Sequence, residues 1–562
     1  MGLSSKPTLH AQPFVHSGTG RFQWPAIKPH WLVLISAFAL TALYNVPFYT
    51  ALDRYVGFDQ PMLMFKLAFL LLLVNHLLIS LFSARFILKP VLVFLFLSAA
   101  LSGYFMNAYG VLIDKHMLQN VFETDVQEAR GLLSLGLLVH MALFFVIPVV
   151  LLFLARVSWP AGLKRVTHWL APIIVDIALI LVLALTSYQE MASKFRNHRD
   201  IKDLVVPVNS VAALASLGSK VAAAQFPQEY QQVGLDATVS LPVSDRAKPN
   251  LVVFVLGETA RADHFGLNGY QLDTTPELSK LARQSGGTLV NFPRVSSCGT
   301  ATALSVPCMF SWLGRSDYDE AVAKNSDNFL DVMTRAGIVS TWLDNNSGCK
   351  GMCDRIPTVR PEDTDLCQGE YCDDLVLLRG AHQQLDAADN NDHFMVLHQL
   401  GSHGPEYYKR SKPDQKKFLP ECQSNELQSC DQQAIINAYD DSILVTDRLL
   451  GETVRMLKSM QADYNTALVY VSDHGESLGE GGIYLHGIPY MLAPEAQTHV
   501  PMVVWLSDGF RMDNRIDAEC VNRIASQPLS HDNLFSSMLG LMNVKTGAIK
   551  PSLNIFEDCR TT

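Results

Sequence analysis

Five long apolar runs, near residues 31–51, 61–82, 88–110, 132–155 and 167–187, constrain this chain more than any other feature. A hydrocarbon core offers no water to the peptide groups, so a run of about 20 apolar residues crosses it as a helix that satisfies its own backbone. Residues 1–187 therefore read as a five-helix transmembrane domain. The polar stretch before the first run lacks the short basic start of a cleaved secretory signal. Lys6, Arg21 and Lys28 precede the first run, Arg85 and Lys89 separate the second from the third, and Arg156, Lys164 and Arg165 separate the fourth from the fifth. Basic loops are retained in the cytoplasm. The pattern thus predicts a cytoplasmic N-terminus and places everything after about residue 190 across the membrane.

The cysteines bear on the same point independently. All ten lie beyond residue 290, and most fall in close pairs: Cys298/Cys308, Cys349/Cys353, Cys367/Cys372 and Cys422/Cys430. Cys520 and Cys559 make a fifth candidate pair. Such pairing points to an oxidising compartment rather than to a zinc cluster, which would usually show CxxC spacing. The net charge of −10, with no basic-aromatic patch, argues against a nucleic-acid partner.

Residues 188–248 read as a linker. Within it, VNSVAALASLGSKVAAA (208–224) is apolar at helical spacing and fits either a helix on the membrane surface or one packed on the soluble domain. From 249 to 562 the pattern changes. The runs 251–258, 338–344, 393–400, 466–473 and 500–508 have the length and continuous apolarity of strands buried on both faces, and 327–337 and 434–460 have helical periodicity. The alternation predicts an α/β domain with a mostly parallel sheet, whose ligands gather at the carboxyl ends of the strands.

Those ends carry the chemistry. The first strand ends in Gly257-Glu258-Thr259, the third in His398 followed by GSHGP with His403, and the fourth in Asp473-His474, with His486 after a glycine-rich turn. One strand-terminal acid or imidazole is more often a cap, but three such ends on one edge make a metal-binding group. The loop SSCGTATALSVPC (296–308) adds Thr300 and Thr302, small residues that permit close approach, and a Cys298/Cys308 bridge to stiffen it. A threonine hydroxyl is too weak an acid to attack at neutral pH unless a divalent cation lowers its pKa. Either threonine is therefore a candidate nucleophile. Glu476 and Ser477 read as groups that support the ligands.

The blocks GETARADHFGLNGY (257–270), SCGTATALSVPCMFS (297–311), LHQLGSHGPEY (397–407), NAYDDS (437–442) and SDHGESLGEGGIYLHG (472–487) occur in that order. Through them the sequence resembles, over essentially its whole length, the lipid A phosphoethanolamine transferases, the group that includes the mobile colistin-resistance enzymes. The resemblance implies five transmembrane helices, a periplasmic domain of the alkaline phosphatase/sulfatase type, and residence in a Gram-negative inner membrane. It selects Thr302 over Thr300 and assigns Glu258, Thr302, Asp473 and His474 to Zn2+, with a second ion as an option. Lys350, His403 and His486 match the residues that hold phosphoethanolamine. The segment 116–129 adds Asn120, Thr124 and Glu128 to substrate binding, and His398 receives no direct role.

The implied reaction moves phosphoethanolamine from phosphatidylethanolamine to a lipid A phosphate. It runs through a covalent Thr302 intermediate, with release of diacylglycerol and His403 or His486 as proton donor. Resistance to polymyxin-type cationic peptides follows from it, and a monomer is expected. Core heptose and Kdo are modified by related transferases, and the catalytic residues do not separate these acceptors. A phosphoglycerol transferase of similar build would not share the CGTATALSVPC block, and no C/S-x-P-x-R context for a sulfatase's formylglycine surrounds Thr302. One imidazole and three oxygens suit zinc, with manganese as the alternative.

Overall fold

The computed structural model describes residues 26–56, 60–123, 126–197, 199–224, 229–284, 286–368, 371–385 and 390–561. Four helices are long and apolar enough to cross a membrane, and five spans result if one bent pair counts as a single crossing. The pair is α1 (Pro29–Tyr44) and α2 (Val46–Tyr55), where the sequence predicts one span over 31–51; the axis turns by 58°. Pro47 lacks the N–H that would continue the ladder. Asn45 fills the break, donating from Nδ2 to the carbonyls of Leu40 at 2.8 Å and Val206 at 2.9 Å while Oδ1 accepts from the Val206 amide at 2.8 Å. The other crossings are α3 (Pro61–Leu81), α4 (Leu88–Tyr109), α6 (Leu135–Leu154) and the first part of α7 (Leu163–Asn197), with the short α5 (Lys115–Glu123) between α4 and α6. The segment 208–224 forms α8 (Val208–Ala224), which packs on α4 and α5 with Ser210 Oγ 2.7 Å from Ser102 Oγ.

The central sheet of the following domain has eight strands: β1 (Asn250–Gly257), β2 (Thr288–Ser296), β3 (Val339–Asp344), β4 (Thr358–Val359), β5 (His393–His398), β6 (Asn465–Ser472), β7 (His499–Leu506) and β8 (Leu529–Ser530), in the order β8-β2-β7-β6-β1-β5-β3-β4. Strands β6, β1, β5, β3 and β4 run parallel, and every residue of β1, β5 and β6 is buried. Strand β7 is the exception: it runs antiparallel to both β6 and β2, while β8 pairs with β2 in parallel. A parallel return needs a crossover of a dozen or more residues, usually a helix over the sheet. Residues 473–498 instead stay at the edge where β6 ends, since they carry the site, and the chain re-enters from that same edge. Strand β2 has no counterpart among the predicted runs: Asn291, Pro293 and Arg294 interrupt its apolar character.

Two sets of contacts position the site. Helix α9 (Thr302–Phe310) is anchored through Phe310, whose ring lies 4.5 Å from Phe329 and 5.8 Å from Phe254 of β1. A loop closed by Cys422–Cys430 seats on the start of α6: Glu426 Oε1 accepts from the Gly136 amide at 2.7 Å, and Asn425 Nδ2 donates to the carbonyls of Gly131 and Leu133, both at 2.9 Å. All five predicted cysteine pairs are bonded, Cys520–Cys559 included.

Candidate active site

Strands β1 and β6 are adjacent, parallel and in register, with Gly257 opposite Ser472. Glu258 and Asp473 therefore leave the sheet side by side, and His474 follows. One ligand atom from each of these three fully buried residues lies within 4.8 Å of the others. Thr302 reaches them from the first turn of α9, its Oγ1 lying 3.2 and 3.1 Å from the two Glu258 oxygens and 3.3 Å from His474 Nε2. The helix is held in place on several sides. Cys298–Cys308 ties the loop to it, and Ser305 Oγ donates to the Asp473 carbonyl at 2.6 Å. His531 bridges loop and sheet, accepting the Cys298 amide at Nδ1 (3.0 Å) and donating from Nε2 to the Ser472 carbonyl (3.0 Å); burial pushes its pKa down to about 3. The Thr300 hydroxyl donates to the Ile488 carbonyl at 2.7 Å and faces away from the carboxylates.

The donors and acceptors in this cluster do not balance without a cation. His474 Nδ1 sits 2.9 Å from the Gly475 carbonyl, which only accepts, so Nδ1 carries the proton and Nε2 presents a lone pair. Burial holds that imidazole neutral by lowering its pKa well below the ordinary value, with His486 nearby adding to the effect. Nε2 faces Asp473 Oδ2 at 3.4 Å and Glu258 Oε1 at 3.4 Å, and Asp473 Oδ2 is buried with no hydrogen-bond donor among the described residues. Burial pushes the Asp473 carboxyl up to about 6, although the Thr259 amide (3.2 Å) and His474 amide (2.7 Å) both donate to Oδ1. Two carboxylates, a lone-pair nitrogen and a hydroxyl oxygen converging in one dry spot fit a divalent metal ion.

His486 and Glu476 make a second arrangement beside it. His486 Nδ1 lies 2.8 Å from Glu476 Oε2, and the other carboxylate oxygen accepts from Tyr407 OH at 2.6 Å. The His486 ring lies 4.5 Å from that of His474 and 5.4 Å from that of His403. His403 is pushed well below the ordinary histidine range by burial, by His486 and by Arg410. Lys350 adopts a left-handed backbone (φ 51°) and donates from Nζ to Ser347 at 2.9 Å. These side chains line a cavity of about 320 Å³ together with Thr302. Its far wall is apolar and comes from the membrane domain: Leu101, Phe105 and Tyr109 of α4, Met117 and Val121 of α5, and Leu137 of α6.

Of the remaining predicted residues, Asn120 lines this cavity. Thr124 lies outside the described residues, and Glu128 falls in the helix Val126–Gly131 with its side chain outside them as well. His398 is bound to Asp344 at 2.8 Å and stays behind the sheet edge. Asn346 is a site residue that the sequence reading does not include: its Nδ2 donates to Glu258 Oε2 at 3.0 Å and to the Gln399 carbonyl at 2.9 Å. It follows β3 by two residues, so the strand-end rule that finds Glu258 applies to it too.

Comparison with known proteins agrees with this geometry. The Sulfatase family model matches residues 250–544, and the model described as phosphoethanolamine transferase EptA/EptB matches residues 71–221. The chain is 40% identical over 474 residues to phosphoethanolamine transferase EptA of Salmonella typhimurium, covering 83% of this chain and 85% of the relative. It is 36% identical over 539 residues to phosphatidylethanolamine transferase Mcr-1 of Escherichia coli, covering 93% and 97%. The solved integral membrane lipooligosaccharide phosphoethanolamine transferase A of Neisseria meningitidis superposes with a TM-score of 0.91 at 33% identity, over 96% of this chain and 100% of that one. A metal-fitting cluster on a sulfatase-type sheet, joined to apolar helices and matched by such relatives over most of its length, shows that the chain belongs to the phosphoethanolamine transferase family of EptA and Mcr.

Proposed function

We propose that this chain transfers phosphoethanolamine from phosphatidylethanolamine to a phosphate of lipid A, with Thr302 as the nucleophile. The observation that carries the reading is the cavity: Thr302 sits on its polar floor, and membrane helices form its apolar wall. A lipid can place its phosphodiester over the hydroxyl while its acyl chains stay among the apolar side chains. The basic loops orient the N-terminus to the cytoplasm, which sets the domain 249–562 in the periplasm beyond a linker at 188–248 and a membrane domain at 1–187. The convergent acceptors of Glu258, Asp473, His474 and Thr302 are the residues that would hold Zn2+. When bound, the ion supplies Lewis acidity that favours ionisation of a hydroxyl and offsets charge on phosphoryl oxygens.

The chain's own groups account for the rest. The Thr302 proton faces the Glu258 carboxylate, which takes it as Oγ1 attacks phosphorus. A bond forms between Thr302 Oγ1 and phosphorus, and the bond from phosphorus to the diacylglycerol oxygen breaks. His486 gives that oxygen its proton from Nε2. Of the two candidate donors His403 is the worse, because burial keeps it neutral. The Lys350 ammonium balances the phosphoryl charge. In the second half, an oxygen of a lipid A phosphate attacks the same phosphorus and gives its proton to His486, the bond to Thr302 breaks, and Oγ1 recovers its proton from Glu258.

Mass spectrometry of lipid A tests the reading. Cells expressing the chain should carry lipid A with one added phosphoethanolamine per modified phosphate and should resist polymyxin-type peptides; cells expressing Thr302→Ala at equal level should show neither. Added mass on core sugars alone would move the acceptor. Activity of Thr302→Ala at a tenth of wild type would remove the covalent step.

A further inference from the structure

A second cavity, of about 300 Å³, lies at the opposite end of the membrane domain, where α1 and α7 begin and α3 ends. It is lined by His30, His76, Arg165, His168, Trp159 and Trp169 among others, and no carboxylate is among the described lining residues. Asp176, two turns further along α7, is committed to His76, with Nδ1 2.7 Å from Oδ2. The surroundings favour an anion. Helices α1 and α7, 16 and 35 residues long, both direct their amino termini at this end, and α1 has Lys28 before it with no side-chain cap on its first turn. His168 donates from Nδ1 to the Lys164 carbonyl at 2.7 Å, which leaves Nε2 for a ligand.

The walls favour a lipid over a free ion. Just beyond the cavity mouth, α7 exposes Leu170, Ile174, Ile177 and Leu181, a continuous apolar strip along a membrane span. Trp159 and Trp169 stand at the level where amphipathic rings gather at a membrane boundary, and Trp169 Nε1 reaches the Leu81 carbonyl at 3.4 Å. We infer that this cleft binds a phospholipid of the leaflet opposite the catalytic domain, its phosphate held by Arg165 and His168 and its chains laid along α7. Basic pockets between transmembrane helices are recognised lipid headgroup sites. This site would bridge α1, α3 and α7, far from the reacting atoms and independent of them.

The full-length chain in vesicles of phosphatidylethanolamine and phosphatidylglycerol, doped with a photoactivatable phosphatidylglycerol, tests the assignment. Crosslinks should map to peptides spanning 159–172, and Arg165→Gln with His168→Gln should reduce them at least fivefold. Arg165→Lys, which keeps the charge, should retain most of the labelling and shows that loss in the double variant is not misfolding. Equal labelling by a photoactivatable diacylglycerol, or unchanged labelling in the double variant, would overturn the phosphate contact. Loss of labelling on adding inorganic phosphate would overturn the lipid in favour of a free anion.

Discussion

Asp473 Oδ2 is buried beside a lone-pair nitrogen and a second carboxylate, and no donor among the described residues reaches it. Removing that oxygen should cost the metal before it costs the fold, so Asp473→Ala should lower bound zinc in the purified full-length chain at least tenfold, read by elemental analysis. A Glu476→Gln variant separates a different role. Gln keeps the shape but loses the charge that orients His486, so kcat should fall about 10- to 100-fold with metal content unchanged. Loss of zinc in that variant would instead make Glu476 a ligand. At this scale the convergence of Glu258, Asp473 and His474 was legible because each sits where an apolar run meets a polar residue in a recognisable block. Choosing Thr302 over Thr300 needed either that resemblance or the structure, where the Thr300 hydroxyl is occupied by Ile488. Asn346 was within reach of the strand-end rule but is not in a recognised block, whereas His531 was not legible, because it acts through long-range hydrogen bonds that leave no periodic trace.

Among the elements, α9 carries Thr302 and has only nine residues, so its aim depends on what holds it. Replacing Cys298 and Cys308 with serine should leave the hydroxyl wandering and cut turnover by about tenfold or more, since small misplacement at a reacting atom is costly. Metal content should persist, since Glu258, Asp473 and His474 stay in place. A second element is stabilised in a pH-dependent way. Asp447, on α10 (Gln432–Ser459), accepts the Glu277 and Leu278 amides at 2.7 and 2.9 Å and so caps the helix Pro276–Leu281. Burial outweighs those bonds and pushes its carboxyl up to about 7. The folded chain therefore holds a proton that the unfolded chain releases near pH 4, and this group's contribution to stability falls as pH rises from about 4 to 7. Asp447→Asn should flatten that slope, worth on the order of 1–4 kcal/mol, in chemical unfolding of the detergent-solubilised chain. The parallel strands were legible as unbroken apolar runs. The interrupted strand β2 was hidden by its polar and proline positions, and the direction of β7 was set by the site loop, which periodicity does not describe.

For the whole molecule, Asn425 and Glu426 are prominent among the groups through which the two domains meet. Replacing both with alanine should loosen the catalytic domain from α6 and raise KM for vesicle-borne phosphatidylethanolamine severalfold, while hydrolysis of a short soluble phosphodiester by the same site stays near wild type. Equal loss on both substrates would mean that the loop supports the fold rather than the docking. This level was the least legible in the sequence, because the cavity wall joins Leu101 and Phe105 to His403 and His486, residues brought together only by the seating of one domain on the other. That composite wall has a practical consequence for inhibitor discovery. A compound selected against the severed soluble domain would meet only the cluster of Glu258, Asp473 and His474 and its polar rim, on a domain type shared with the sulfatases. Screening the intact chain in a bilayer adds the greasy half of the cleft, where selectivity for this enzyme over soluble relatives is to be found.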